Sequence, residues 1–417
     1  MRTNKFKKLT TKTLISAVDF SKSKHTGYFT TITREEAEPF NFANNREGFE
    51  KYWRRLQKFK EKHNLEDVVV SFESTGSYGV PFIHFLKGKG VKMLQVNPKH
   101  TKRTKEVTDN SPNKTDKKDP RVIANLILFG SGLTVNVANG KIQALKNYIF
   151  NREAILEDQK RLINRLESLL AVNFPEYLEF FSNITCRTSL YILRHYPLPE
   201  DLLKFNPDEL TEKLKKISRG RVGINRTREL IEKADRSIGV CEDQTSFRGI
   251  LAYFLDQLEL ISYQRKQIES NIDQVLEEIP SSKILLTVKG LSRVSVAAIL
   301  SEIIDFKNFD TIREVNKYTG FNLFEISSGK YQGRRRIAKR GRALLRKALF
   351  FATLNMVKKD GIFHEDYQRH IDKGMPRMKA LIAISRKLLR MIFAMVRDEE
   401  TFDINRLKQA QKVKQAA

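Results

Sequence analysis

The chain has 417 residues, with 76 Lys and Arg against 49 Asp and Glu, a formal charge of +27. This length calls for two or three domains, and a hydrophobic content of 40% supports packed cores and excludes wholesale disorder. The charge points to nucleic acid as partner, and no apolar run reaches the roughly 18 residues of a membrane span, so no membrane partner is expected.

At the N-terminus, MRTNKFKKLTTK is basic, but no long apolar core or small-residue cleavage site follows, so it does not read as a signal peptide. Cys186 and Cys241 stand alone without a CxxC pair, which excludes a zinc ribbon and fits a reducing cytoplasm. LISAVDF at 14–20 is a short apolar run ending in an acid, and TGYFTTITR at 26–34 favours a strand. Residues 44–63 carry apolar groups at helical spacing, with Trp53 and Leu56 on one stripe. The Val run of DVVVSFES, 67–74, predicts a strand buried on both faces, and VKMLQVNP, 91–98, predicts another. Strands alternating with helices imply an α/β domain over 1–135.

The texture changes after that. Apolar positions at 142, 145, 149, 156, 163, 166 and 170, and again at 251, 254, 258, 261, 268, 272, 275 and 279, approach heptad seams. They predict two long helices joined by a less regular 175–244. The region 136–280 is thus expected to be an antiparallel coiled-coil hairpin with a role in oligomerisation, or a plain helical bundle. From 284, ILLTVKGLSRVSVAAILSEI reads as helix, Gly290 turn and helix, the shape of a helix-hairpin-helix, and opens a mainly α domain over 281–417.

Acids mark the ends of the predicted strands. Asp19 ends the first and Glu73 a later one, while Asp116 and Asp119 start the helix after the next strand. Such positions converge on one edge of an α/β sheet, where four carboxylates would repel unless cations stood between them. Hard oxygen ligands suit Mg²⁺ or Mn²⁺, and two such ions about 4 Å apart can clamp both oxygens of a phosphate displacement. Read alone, each acid could equally be a helix cap or a surface ion pair. Pro120 suits the first helical position, which makes Asp119 a candidate N-cap.

A second constellation begins at Gly320. Lys330, Arg334, Arg335, Arg336, Lys339, Arg340, Arg342, Arg346 and Lys347 stand within 330–347 with no acid among them. A loop ending in a basic amphipathic helix, with Leu344, Leu345, Ala348, Leu349 and Ala352 as its buried face, would set cations along a phosphate backbone. Ser327 and Ser328 precede Gly329; alone, Ser-Ser-Gly reads as a turn, but a serine beside so many cations could also act as a nucleophile.

These motifs together resemble the DEDD-type insertion-sequence transposases: an acid after strand one, ESTG, VNP followed by KTDKKD, then GLS, AAILSEI, YTGF, Ser-Gly and RRRIAKRG. The resemblance implies an N-terminal RuvC-like (RNase H-like) α/β domain in which Asp19, Glu73, Asp116 and Asp119 hold metal, then a coiled coil and a C-terminal transposase domain. It identifies Ser328 as the nucleophile, with Ser327 as fallback. The family usually has alanine after the last aspartate, where this chain has Pro120. It further implies strand exchange through a covalent serine–DNA phosphate, with acids and serine from different subunits. A dimer would assemble to a tetramer on donor and target DNA, guided by an element-encoded bridge RNA, in a bacterial or archaeal cytoplasm. Alternatives are a metal-dependent junction resolvase that needs no serine and a non-catalytic nucleic-acid scaffold.

Overall fold

A computed structural model describes residues 9–73, 76–109, 118–135, 137–138, 140–240, 242–325, 327–328, 331–333 and 335–405. In chain order the first part contains β1 (Thr13–Asp19), β2 (Lys24–Thr30), β3 (Phe40–Ala43), α1 (Arg46–Lys62), β4 (Asp67–Glu73), α2 (Val80–Gly88), β5 (Lys92–Val96), α3 (Pro98–Asp109), α4 (Lys118–Leu128) and β6 (Leu133–Thr134). The strands form one mixed sheet ordered β3-β2-β1-β4-β5-β6, in which β1, β4 and β5 run parallel and the others antiparallel to their neighbours. The arrangement is consistent with an RNase H-like domain.

Alternation of side chains sorts the strands onto two cores. Leu14, Val18, Phe29 and Phe42 face α1 and α2 through Phe49, Tyr52, Leu56 and Phe82. Ile15, Ala17, Tyr28, Val69, Leu94 and Val96 face α4 through Val122, Ile123, Leu126 and Ile127. At the centre of the first core Tyr52 is fully buried, and its hydroxyl shares a 2.6 Å hydrogen bond with Ser16 Oγ. Burial pushes this phenol well above its ordinary pKa, so it stays neutral and bonded.

Residues 144–278 form a separate compact unit. Its two long helices are α5 (Gly140–Asn173), which begins just before the unit, and α11 (Gln244–Glu277). They run antiparallel, since Arg152 pairs with Glu269 at 2.8 Å and Arg265 Nη1 reaches Gln159 Oε1 at 3.5 Å. Between them the chain is more regular than its sequence suggests. It builds α6 (Pro175–Phe180), α7 (Arg187–His195), α8 (Pro199–Leu203), α9 (Pro207–Ser218) and α10 (Ile224–Asp235). Leu166, Leu170, Tyr177, Ile192, Leu202, Leu210, Leu230, Leu251 and Leu255 share one core, so part of each long helix is packed by this bundle.

The C-terminal part contains α12 (Pro280–Leu286), α13 (Arg293–Ile303), α14 (Ile312–Thr319), β7 (Leu323–Phe324), β8 (Ser327–Ser328), β9 (Tyr331–Gln332), β10 (Arg336–Ile337), α15 (Ala343–Met356), α16 (His364–Asp372) and α17 (Arg377–Arg397). Helix, glycine turn and helix stand as expected at 280–303. Gly290 has φ +102°, and a Cβ there would lie 2.9 Å from Met356 Cγ, so both backbone and space require glycine. Helix α15 packs against α13 and α17, with Thr353 and Ser385 sharing a buried hydrogen bond at 3.0 Å. No helix among the described residues is long and apolar enough to cross a membrane.

Tyr52→Phe is expected to cost about 1–2 kcal/mol by leaving the Ser16 hydroxyl without its buried partner. Urea unfolding of wild type and variant would measure it.

Candidate active site

The parallel register of β1 on β4 pairs Val18 with Phe72, and its next step sets Asp19 beside Glu73 at the carboxyl edge of the sheet. Strand alternation turns both toward α4, the face already occupied by Ile15, Ala17 and Val69. Helix α4 starts near this edge. Arg121 lies 5.5 Å over the Tyr28 ring, opposite Ala17, whereas Asn125 accepts a hydrogen bond from Arg34, beyond the far end of β2. Asp119 stands one turn before Val122 and Ile123, on the inward stripe, and is buried.

The helix begins at Lys118, so Asp119 and Pro120 are within its first turn; the expected N-cap is not at Asp119. Proline fits there because first-turn amides have no intrahelical acceptor. Asp19 and Glu73 thus end adjacent strands, and Asp119 stands in the first turn of the helix that packs against those strands. Asp116 lies outside the described residues. Among the described residues no group of three or more His, Cys, Asp or Glu stands close enough to hold a metal ion. The chemistry of the donors, carboxylate oxygens alone, fits a hard divalent cation.

The loops after Asp19 and Glu73 are locked together by residues that sequence reasoning did not single out. Phe20 packs on Phe72, and a Cβ on Gly79 would fall 2.2 Å from the Phe20 ring. The Asn44 amide donates to Lys22 O and to Tyr78 O, both at 3.2 Å, and so ties the two loops. Beside it, fully buried His25 sits among Phe20, Phe42, Phe49 and Phe82, and its Nδ1 accepts the Ser21 amide at 3.3 Å. Burial pulls this imidazole below its ordinary 6.5, against a smaller upward pull from Asn44. The sequence signals were slight: a Gly in GSYG and an Asn ahead of a helix.

Ser328 belongs to a different local structure. Strands β7 and β10 pair antiparallel, as do β8 and β9, making one hairpin in which Ser328 pairs with Tyr331 next to the tip. Ser328 thus stands at a strand end and is exposed, while Gly329 of the expected Ser-Gly turn lies outside the described residues. The hairpin base is pinned to the end of α14: Ala338 N–H donates to Asn322 O, Lys339 N–H to Gly320 O and Arg342 N–H to Tyr318 O, at 2.9–3.1 Å. Gly341 lies so close that a Cβ would be 2.3 Å from Tyr318 O.

The basic run is a loop passing into a helix, as its sequence suggests. Helix α15 starts at Ala343, so Arg335, Arg336, Lys339, Arg340 and Arg342 precede it on the return strand and the loop, while Arg346 and Lys347 lie within it. Arg336, Lys339 and Arg340 are exposed; Arg335 is exposed but paired with Glu325 at 2.7 Å. Arg342 lies 5.3 Å over the Tyr318 ring and 3.9 Å from Glu302, and half-buried Arg346 donates to Thr319 O at 2.8 Å. Arg346 thus anchors the hairpin base, while Lys330 and Arg334 lie outside the described residues.

Comparison with known proteins joins these two regions. The DEDD-type IS110 transposase family, described as "Transposase", matches residues 17–175, and the "Transposase IS116/IS110/IS902 family" matches residues 282–368. The chain is similar to an uncharacterized 43.6 kDa protein of insertion element IS110 from Streptomyces coelicolor, 22% identical over 68% of this chain and 71% of the relative. It is also similar to a 44.8 kDa protein of insertion element IS116 from Streptomyces clavuligerus, 20% identical over 81% and 84%. A pilin gene-inverting protein of Moraxella bovis is 26% identical over 37% of this chain and 50% of its own.

Two outcomes follow from the locked loops. Gly79→Ala is expected to displace the Phe20 ring at a cost of about 1–3 kcal/mol, read by chemical denaturation. His25 should make the fold sensitive to acid. Its folded pKa is lowered, so below about 6.5 the unfolded chain takes up the proton more readily and stability falls with pH. His25→Gln should flatten that limb of a stability–pH profile.

With both ends of the chain matched over more than half of its length, it is an insertion-sequence transposase of the IS110/IS116 family.

Proposed function

We propose that this transposase recombines DNA through a covalent serine–phosphate intermediate, with Ser328 as nucleophile and Asp19, Glu73, Asp116 and Asp119 as a metal-binding set. The observation that carries the reading is the exposed serine at the end of a pinned hairpin whose base carries the exposed cations Arg336, Lys339 and Arg340. A hydroxyl needs cations around the phosphate that it attacks, and these side chains can supply them. Mg²⁺ or Mn²⁺, when bound by the four acids, would supply Lewis-acid polarisation of the phosphate.

In the step itself Ser328 Oγ bonds to phosphorus, and the phosphorus–oxygen bond to one sugar breaks. The serine proton leaves, and the departing sugar oxygen takes up a proton to become a free hydroxyl. The guanidinium and ammonium groups of the return strand would hold the non-bridging oxygens as negative charge builds. Because the phosphodiester bond is exchanged and not hydrolysed, the reverse attack by another strand end reseals DNA without ATP.

The remaining expectations complete this proposal. Acids from one subunit would meet the serine of another in a dimer that assembles to a tetramer. A bridge RNA would choose donor and target DNA by base pairing, leaving the protein to bind backbone and shape. The excess of positive charge suits a chain that holds several polyanions at once.

The test is to incubate protein, element RNA and labelled donor DNA with Mg²⁺ and to resolve the products on denaturing gels. Ser328→Ala is expected to lower covalent protein–DNA adducts at least ~100-fold while RNA binding persists. Asp19→Asn and chelation by EDTA should have the same effect. Nicked DNA without an adduct, still dependent on Asp19, would overturn the serine role and leave a junction-resolvase reading.

A further inference from the structure

Residues 213–228, KLKKISRGRVGINRTR, contain seven Lys and Arg and no acid, a density close to that of the nine in 330–347. They span the end of α9, a tight turn and the start of α10, in the helical unit 144–278. The turn is fixed by its own bonds. Arg219 and Gly220 are both left-handed, at φ +56° and +79°. Gly220 N–H donates to Lys215 O, and Val222 N–H to Ser218 Oγ, each at 2.9 Å. Buried Thr227 donates to Gly223 O at 3.2 Å.

The seven cations divide sharply. Lys213 covers the Phe205 ring at 4.3 Å, and Arg226 stacks on Phe180 at 4.0 Å while pairing with Glu229 at 2.5 Å. Lys215, Lys216, Arg219, Arg221 and Arg228 are exposed, and none has a carboxylate within ion-pair distance among the described residues. Elsewhere in the same unit Arg194, Lys233 and Arg248 all have acidic partners. Five adjacent unpaired cations on a rigid turn repel one another, and a polyanion would relieve that repulsion.

We propose that the α9–α10 turn is a second nucleic-acid contact, which binds the phosphate backbone of a duplex. The neighbouring aromatics argue against reading of unpaired bases. Tyr196 and Phe205 are half-buried and lie under Lys213, so no exposed platform is left for stacking. A duplex presents phosphates in fixed rows, which suits cations on a turn that cannot wrap a flexible strand.

The experiment measures binding of the full chain to a short duplex DNA and to a duplex RNA over a series of salt concentrations. The fourfold variant Lys215→Ala, Lys216→Ala, Arg221→Ala, Arg228→Ala spares left-handed Arg219. A control removes the same charge elsewhere, at exposed Lys51, Lys58, Lys62 and Lys373. Each phosphate contact contributes roughly 0.9 to the slope of log K against log salt, so the turn variant should lose about 3 and the control less than about 1. The arm with the larger loss, DNA or RNA, names the duplex. Equal losses for turn and control in both arms would overturn the proposal. Should the fourfold variant fail to fold by circular dichroism, Arg221→Ala with Arg228→Ala should still lose about 1–2, and no loss there would equally overturn it.

Discussion

The acid edge depends on one backbone pairing, the parallel ladder of β1 on β4. Parallel strands in register bring their carboxyl ends level, and Asp19 and Glu73 each stand one residue beyond the last pair of this ladder, Val18 with Phe72. The apolar layers beneath hold both strand ends in place. Leu14, Val18 and Phe72 on one face, and Ile15, Ala17 and Val69 on the other, are almost completely buried. The Phe20–Gly79 contact and the Asn44 amide then fasten the loops that leave those strands.

The serine is built by a contrasting principle. The apolar side chains of β7 are left open, Leu323 and Phe324 being 49% and 42% exposed. Its order comes from the base, where the backbone of Ala338, Lys339 and Arg342 and the Arg346 guanidinium grip the end of α14. Cations in this region consequently have two kinds of work. Arg342 and Arg346 hold the hairpin to the fold, while Arg336, Lys339 and Arg340 project from it. A count of charge in the sequence cannot separate the two.

What the sequence reveals follows from the length and regularity of each signal. The Val run of β4 and the acids closing β1 and β4 are legible because burial on two faces leaves a continuous apolar run. The 34-residue helices are legible from periods repeated many times. The four two-residue strands of the hairpin are too short for any alternation to register, so the sequence shows no strand there. The basic run reads as a loop passing into a helix because its apolar stripe begins only at Leu344. Gly341, required by the approach to Tyr318 O, stands just before the boundary, with Arg346 and Lys347 inside α15. Asn44 is invisible for another reason: its partners are carbonyls 22 and 34 residues away, and a carbonyl has no sequence signature. Helices α6 to α10 are short and pack on several sides, which blurs the stripe that a longer surface helix would display.

The hairpin also constrains how this chain can change over generations. Ser328 pairs with Tyr331, and successive side chains along each strand project to opposite faces. Inserting or deleting one residue within β8 would break its register with β9 and carry the hydroxyl to the other face. Descendants of this hairpin should therefore vary in composition while keeping that pairing.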